Sequence, residues 1–131
     1  NKILLQYYDE GYVSTPMGRK IKVDERKAFN YLIQSTTADL VLDRAVEIDE
    51  FLSDKRSFIS HIVHDEIVID LHDRERDLVP LIKSIFENNS LGYFRGNINA
   101  GKNYYDLKEN YDFISWYWHS RLKYCQLFCK Q

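Results

Sequence analysis

Apolar and polar residues follow strand-like and helix-like patterns along most of the chain. Two runs rich in β-branched residues, 58–63 and 67–71, are separated by only three residues. Runs this short and this close predict two antiparallel strands joined as a hairpin. His64, Asp65 and Glu66 stand between them, without the glycine that usually lets a hairpin turn reach a positive φ. The pattern predicts a turn that presents charge at some expense of local stability.

Upstream of this hairpin, the pattern predicts a helix, a small hairpin and a long second helix. Gly11 is suited to end the first helix and Asp24 to cap the second. The three residues Ser35-Thr36-Thr37 form helices weakly, so a break in the long helix near Tyr31 is an alternative. The predicted elements cover residues 1–10, 12–14 with 19–23, and 25 to about 52.

Downstream of the hairpin, Asp73 is suited to cap a helix from residue 74 to about 88. Residues 93–100 then alternate like a strand. The whole pattern predicts an α+β fold in which a small antiparallel sheet, containing the hairpin, is backed by long helices. Residues 108–131 differ because they contain seven large aromatic side chains. This tail is expected either to form a helix docked on the body or to be a sticky surface for a partner.

Composition narrows the classes of protein further. A chain of 131 residues with 44% hydrophobic and 15% aromatic residues predicts one folded domain rather than disorder. The net charge of −2 is not that of a general nucleic-acid binder, so any DNA contact must be local or supplemented by another segment. No apolar run approaches the ~20 residues of a membrane span.

Cysteine usage and the N-terminus lead to two further expectations. The four-residue spacing of Cys125 and Cys129 suits one face of a helix better than a disulfide, which predicts reduced thiols. We therefore expect an intracellular protein, in the cytoplasm of a bacterial cell or a phage-infected host. The chain has no initiator Met and opens within a helical pattern, so it is expected to be trimmed, cleaved or split.

A second group of candidate residues lies in the long predicted helix. Arg26, Asn30 and Gln34 are spaced by four, so a helix would align them along one face, with a rise of about 6 Å at each step. Side-chain amides can donate hydrogen bonds to the minor-groove acceptors that every base pair presents. Arginine suits a phosphate or a sugar. The alternative interpretation is a solvated polar stripe on an amphipathic helix.

This helix and the His-Asp-Glu turn together resemble the family A (DNA polymerase I-like) DNA polymerases. The helix contains Glu25-Arg26, Asn30 and Gln34-Ser35-Thr36-Thr37-Ala38-Asp39, which is similar to that family's palm helix, Glu-Arg, Asn and Gln-Gly-Thr-Ala-Ala-Asp. Val63-His64-Asp65-Glu66 is similar to the family's second catalytic motif. Ser35 stands where the family has Gly, and Tyr31-Leu32 where Ala-Pro is common; a helix tolerates both changes.

The flanking segments resemble the same family. Residues 11–15 with Gly18-Arg19-Lys20 look like the hairpin ahead of the palm helix, and residues 101–106 like the segment with which such polymerases close. Order and spacing agree over about residues 11–107, roughly three quarters of the chain. The resemblance implies that residues 1–107 form the C-terminal part of a polymerase palm, with 108–131 as an aromatic-rich tail outside it.

The resemblance implies a template-directed DNA polymerase that extends a primer 3′ end by two-metal phosphoryl transfer, with Mg²⁺, or Mn²⁺ in its place. Asp65 would be one of two bridging metal carboxylates. Glu66 would be an auxiliary carboxylate near the metal or the primer end, and His64 would touch the primer-terminal backbone. The helical stripe, Arg26, Asn30 and Gln34, would line the minor groove of the nascent duplex. Primer–template DNA and deoxynucleoside triphosphates would be the partners.

The family's first catalytic carboxylate motif is absent from these 131 residues, as are its fingers helix and thumb. Asp39, Asp43, Asp49 and Asp70 belong to predicted helix or strand faces and do not match that motif. We therefore expect the isolated chain to be inactive and to need a missing polymerase part or the other subunit of a split enzyme. The alternative is a non-catalytic, palm-derived interaction module that binds a partner, or a second copy as a homo-oligomer, through its aromatic tail.

Overall fold

The computed structural model of the protein describes residues 2–105, 107–109 and 124–129, in two compact units, Asn1–Leu40 and Val41–Gln131. A 28-residue helix continues from the first unit into the second. The described residues form an α+β structure with small antiparallel sheets and one long helix. At that level the expected fold class is confirmed.

The first unit opens with a short helix and a three-stranded antiparallel sheet: α1 (Lys2–Tyr7), β1 (Tyr8–Asp9), β2 (Tyr12–Ser14) and β3 (Lys20–Lys22), in sheet order β1-β2-β3. The helix predicted over residues 1–10 is therefore too long. Glu10 and Gly11 have positive φ angles of 47° and 83°, which close a tight turn between β1 and β2 instead of extending the helix.

The turn between β2 and β3 is fastened to the helix that follows it. Gly18 has a φ of 88°, and its N–H donates to the carbonyl of Thr15 at 2.8 Å. The hydroxyl of Thr15 donates to Asp39 at 2.8 Å, and Arg19 forms an ion pair of 2.9 Å with the same carboxylate. The predicted turn is confirmed, and Asp39 joins the hairpin to the helix within this unit.

The long helix, α2 (Glu25–Leu52), is continuous. Asp24 accepts a hydrogen bond of 3.0 Å from the backbone N–H of Arg26, so the predicted cap is confirmed. The alternative of a break near Tyr31 is wrong. The hydroxyls of Thr36 and Thr37 donate to carbonyls one turn back, so these weak helix formers keep their polar groups satisfied inside the helix.

The second unit is built on a five-stranded antiparallel sheet whose strand order is β4-β5-β10-β8-β9. Its other elements are a 3₁₀ turn, a helix and a two-stranded ribbon between β5 and β8. In chain order the elements are β4 (Phe58–Val63), β5 (Glu66–Asp70), the 3₁₀ turn (Arg76–Leu78), α3 (Val79–Glu87), β6 (Asn88–Asn89), β7 (Gly92–Tyr93), β8 (Gly96–Gly101), β9 (Lys108–Glu109) and β10 (Tyr124–Cys129).

One face of this sheet carries the hydrophobic core of the second unit. Ile67 and Ile69 of β5 are fully buried there, together with residues from α2 and α3. Leu42 of α2 and Leu81 of α3 are each 53% exposed, so neither belongs to this core. The buried helix residues in this core are Val41, Ala45, Ile48 and Leu52 of α2, and Val79, Ile82 and Phe86 of α3.

The start of α3 differs from the prediction. Asp73 caps no helix; it forms an ion pair of 3.1 Å with Arg76 at the 3₁₀ turn. The α-helix begins only at Val79, with Pro80 in its first turn. Proline lacks an N–H and fits the first turn of a helix but not its interior, so Pro80 sets where the helix can begin.

A buried arginine fastens the end of α3 to α2. Arg44 of α2 is 7% exposed and donates to the carbonyl of Asn88 at 2.7 Å, which follows the last turn of α3. Burial alone would lower the pKa of Arg44, but hydrogen bonds from its side chain to Asp43 and Glu47 raise it instead. The guanidinium therefore stays charged while it satisfies a helix-end carbonyl.

The tail contributes a central strand rather than a helix at residues 124–129. β10 lies between β5 and β8, where Gln126 is the register partner of Val68 on one side and of Asn99 on the other. Cys125 and Cys129 are therefore four residues apart on a strand, about 13 Å along its axis, and the helical face predicted for them is wrong. The aromatic residues Tyr111, Phe113, Trp116, Tyr117 and Trp118 lie outside the described residues.

Candidate functional site

The His-Asp-Glu segment sits at the closed end of the β4–β5 hairpin. Val63 is the register partner of Glu66, so the loop consists of only two residues, His64 and Asp65. Glu66 is thus the first residue of β5 rather than part of the turn. The predicted hairpin is confirmed, and its chemistry-bearing residues are concentrated at one end of the sheet.

The turn places a histidine in the left-handed region of backbone space. His64 has a φ of 54°; among the described residues, Glu10 is the other non-glycine residue with a positive φ. This conformation costs a residue with a Cβ about 1–2 kcal/mol. Two-residue hairpin loops favour such angles because they match the twist of the strands. His64 is therefore strained in this turn, and Gly or Asn at the same position would lower the strain.

The carboxylate of Asp65 is available at this turn. Asp65 and Glu66 are half-buried, and His64 is exposed. In the part of the chain that the structure describes, Asp65 makes no side-chain hydrogen bond or ion pair. Along β5, Glu66 alternates with the buried residue Ile67, so it belongs to the sheet face opposite the core. Asp65 of the turn and Glu66 of this face are the two carboxylates at this end of the hairpin.

The same sheet face carries a feature that sequence patterning missed. The register between β4 and β5 shifts between Ile59 and His61, so Ser60 is the extra residue of a β-bulge. The bulge keeps Ile59 and Ile62 on the core face and turns His61 away from it. The ring of His61 then lies 5.3 Å from the ring of Tyr104, at 59°. The only sequence signal was a spacing of three, instead of two, between the isoleucines.

A hydrogen-bonded cluster around Glu75 and Ser57, which we call the clasp, joins the two strands at the open end of the hairpin. Glu75 accepts hydrogen bonds from the backbone N–H groups of Arg56 and Ser57, just before β4. The hydroxyl of Ser57 in turn accepts the N–H of His72, just after β5. The N–H of Arg56 and the hydroxyl of Ser57 lower the pKa of Glu75 to about 2. These hydrogen bonds fix the open end of the hairpin, which is the end opposite the His64-Asp65 turn.

The helical stripe is exposed in full. Arg26, Asn30 and Gln34 lie on α2 in the first unit, and all three side chains are open to solvent. The side chain of Arg26 is 92% exposed and meets Asp24 at 3.6 Å. Phe29 and Ile33, 38% and 46% exposed, lie along its edge. The stripe presents amides and a cation flanked by apolar surface.

The predicted site residues fall into two groups, one in each unit. The stripe belongs to Asn1–Leu40 and the turn to Val41–Gln131. Asp39 forms an ion pair with Arg19, and Asp43 forms one with Arg44. Across residues 2–105, 107–109 and 124–129, no group of three His, Cys, Asp or Glu side chains is arranged to hold a metal ion.

None of the described helices has both the length and the apolar run needed to cross a bilayer. Comparison with protein-family models, curated proteins and solved structures gave no significant match.

Proposed function

We propose that this chain is the C-terminal part of the palm of a family A DNA polymerase, which adds deoxynucleotides to a primer 3′ end. The observation that carries the proposal is the two-residue hairpin turn. It holds His64 at a φ of 54° and contains Asp65, which Glu66 follows directly as the first residue of β5. Strained residues concentrate at functional sites, where the strain holds a reactive group in place. The motif order over residues 11–107 supplies the choice of reaction.

The residues of the turn fit Mg²⁺. This ion takes oxygen ligands, keeps several waters, and is held by one or two carboxylates together with substrate phosphates. Asp65 supplies such a carboxylate, with no competing partner in the described chain, and Glu66 supplies a second beside it. When bound, two such ions contribute the positive charge that stabilises the attacking and leaving oxygens of an in-line phosphoryl transfer. Mn²⁺ has the same ligand preference.

The other residues of the proposal bind and orient the DNA. The exposed imidazole of His64 contacts the backbone of the primer terminus. Asn30 and Gln34 donate hydrogen bonds to minor-groove acceptors of the newly formed pairs, and Arg26 contacts phosphate or sugar. Because those acceptors occur on every base pair but shift in a mispair, the two amides sense geometry and not sequence.

The second bridging carboxylate comes from outside these 131 residues in this proposal. Asp39 and Asp43 are committed to Arg19 and Arg44. A sequence match to the family's first carboxylate motif is missing. A two-metal site with one bridging carboxylate lacks half of its protein charge, so the chain alone is expected not to extend a primer.

Primer extension tests the proposal. The chain is assayed alone, and again joined to or mixed with the polypeptide that supplies the first carboxylate motif, with Mg²⁺ and all four deoxynucleotides. We expect template-directed extension only from the combined form. Robust extension by the chain alone, or none from the combined form, would contradict the proposal.

A further inference from the structure

The three-stranded sheet of the first unit has one apolar face and one polar face. Val13 of β2 is fully buried and is the register partner of Ile21 on β3. Their neighbours along each strand alternate to the opposite face. There Tyr12, which is 44% exposed, pairs with Lys22, and Ser14 pairs with Lys20; both lysines are exposed. An aromatic ring and two cations therefore share one open surface.

Neither of these two lysines has a direct ion-pair partner in the described chain. Arg19 is committed to Asp39 and Arg26 meets Asp24, but Lys20 and Lys22 make no ion pair with any described residue. Asp9 lies on the same face, but on β1, at the opposite edge of the sheet from the lysines of β3. The β3 edge of this face therefore attracts anions.

The face continues towards the helical stripe. Lys22 and Arg26 line the same depression, of about 520 Å³, together with Tyr8 and Gly11. Asp24 and Glu25 line it too, so the charges of Lys22 and Arg26 are balanced within the depression, and Lys20 is the lysine of the sheet face that does not line it. Arg26 is the first residue of the stripe proposed to meet duplex DNA. The depression therefore adjoins both the sheet face, through Lys22, and the stripe, through Arg26.

We propose that Tyr12, Lys20 and Lys22 form a platform for single-stranded DNA, continuous with the duplex on the helical stripe. Lysines without carboxylate partners release counterions when they meet phosphates, which favours binding. An exposed tyrosine stacks on an unpaired base of any identity, because every base has a π-face. That the bound polyanion is DNA rests on the proposed function. The charge and the exposure of the platform are independent of that proposal.

Fluorescence anisotropy of a labelled oligothymidylate, measured with the 131-residue chain over a range of salt concentrations, tests the platform. The variants are Tyr12→Leu and the double substitution Lys20→Gln/Lys22→Gln. The charge-matched control is Lys55→Gln/Lys83→Gln, which removes two lysines that are paired with Asp54 and Glu87 in the second unit. Circular dichroism of each variant checks that the fold is retained.

We expect the platform double variant to reduce the slope of log affinity against log salt by about 1.4, since each single-strand phosphate contact contributes about 0.7. Tyr12→Leu should weaken binding at least about fivefold without changing the slope. The control should bind as the wild type does. The inference would be overturned if the platform and control variants bound the oligothymidylate equally well. It would also be overturned if a blunt duplex displaced the labelled oligothymidylate as readily as unlabelled oligothymidylate does, or if the wild type did not bind it.

These outcomes are separable from those of the primer-extension assay. Extension by the combined enzyme with unchanged oligothymidylate binding in the platform variants would reject the platform alone. Loss of binding in those variants, with no extension by the combined enzyme, would reject the polymerase proposal and leave the platform standing.

Discussion

Glu75 accepts two hydrogen bonds from Ser57, one of 2.8 Å from its backbone N–H and one of 2.7 Å from its hydroxyl. Ser57 is 1% exposed, and its hydroxyl oxygen also accepts the N–H of His72 at 2.9 Å. This clasp joins the chain just before β4 to the chain just after β5. The end of the hairpin opposite the His64-Asp65 turn is thereby fixed, which allows the turn itself to be strained.

The clasp makes stability depend on pH in a defined window. The Arg56 N–H and the Ser57 hydroxyl lower the pKa of Glu75 from an ordinary 4.5 to about 2. A carboxyl whose pKa is lower in the folded state contributes stability that is fully present above the unfolded value, about pH 4.5, and is lost as the pH falls towards 2. Glu75→Gln should therefore cost more stability at pH 7 than at pH 2.5.

Urea unfolding at pH 7, 4 and 2.5 measures this difference. Glu50→Gln, an exposed position on α2, is the matched control and should change stability little at any of the three pH values. Ser57→Ala should cost about 1 kcal/mol at pH 7 through the lost hydrogen bonds. A Glu75→Gln effect that is the same at pH 7 and pH 2.5 would show that the clasp does not depend on the charge.

The tail strand yields a second prediction. β10 pairs with both β5 and β8, so deletion of residues 108–131 leaves these two strands without their shared neighbour. The backbone groups of β5 and β8 that pair with β10 then lose their hydrogen-bond partners, and the buried residues Ile67 and Ile69 lose their neighbours on the sheet. The second unit should therefore unfold at a lower temperature. Thermal unfolding followed by circular dichroism compares the two chains. An unchanged midpoint would mean that β10 adds nothing to the sheet.

Sedimentation of the same two chains tests the predicted association. Two of the seven large aromatic residues of the tail, Tyr124 and Phe128, lie on β10 within the sheet. The other five stand within residues 111–118, and five in eight positions exceed what an exposed segment of a monomer usually carries. We expect a homo-oligomer that depends on residues 108–131. A monomer in both forms would remove the tail as an association surface.

Local signals in the sequence predicted local structure but did not predict the pairing of strands that are distant along the chain. Asp24 marked the start of α2, and the two apolar runs marked the β4–β5 hairpin, because caps and short hairpins are decided by neighbouring residues. The insertion of β10 between β5 and β8 pairs it with residues 54 to 62 positions earlier on β5 and 23 to 33 positions earlier on β8, which no local pattern encodes. Asp73 looked like a cap, but Pro80 determined where α3 begins.

The positions of the candidate residues, though not their roles, can be compared with the sequence predictions. The hairpin that carries the turn follows from strand alternation, which has a period of two residues. The exposure of the helical stripe follows from the four-residue spacing of its members. The bulge at Ser60, which brings His61 onto Tyr104, depends on one extra residue in the β4 register. Alternation rules assume that no such residue exists, so they cannot keep both Ile59 and Ile62 on the core face.

The helical stripe predicts a specific kinetic effect in the combined enzyme. Asn30→Ala and Gln34→Ala should reduce extension from matched and mismatched primer ends unequally, without changing sequence preference, because minor-groove acceptors shift in a mispair. Steady-state incorporation on both kinds of primer end measures this. Asp49→Ala, an exposed position further along α2, serves as the control. Equal losses on both ends, or no loss on either, would make the stripe an ordinary solvated face.

The central claim is that Asp65 holds a catalytic metal ion at the hairpin turn. The most direct measurement is the turnover number for primer extension by the combined enzyme carrying Asp65→Asn, compared with Asp70→Asn at the other end of β5. Removal of transition-state charge stabilisation predicts a loss of about 10²–10³-fold or more for Asp65→Asn. Asp70→Asn should retain most of the activity, and both variants should keep the wild-type circular dichroism spectrum. Near-normal turnover by Asp65→Asn would contradict the account and leave Asp65 as a structural residue of the turn.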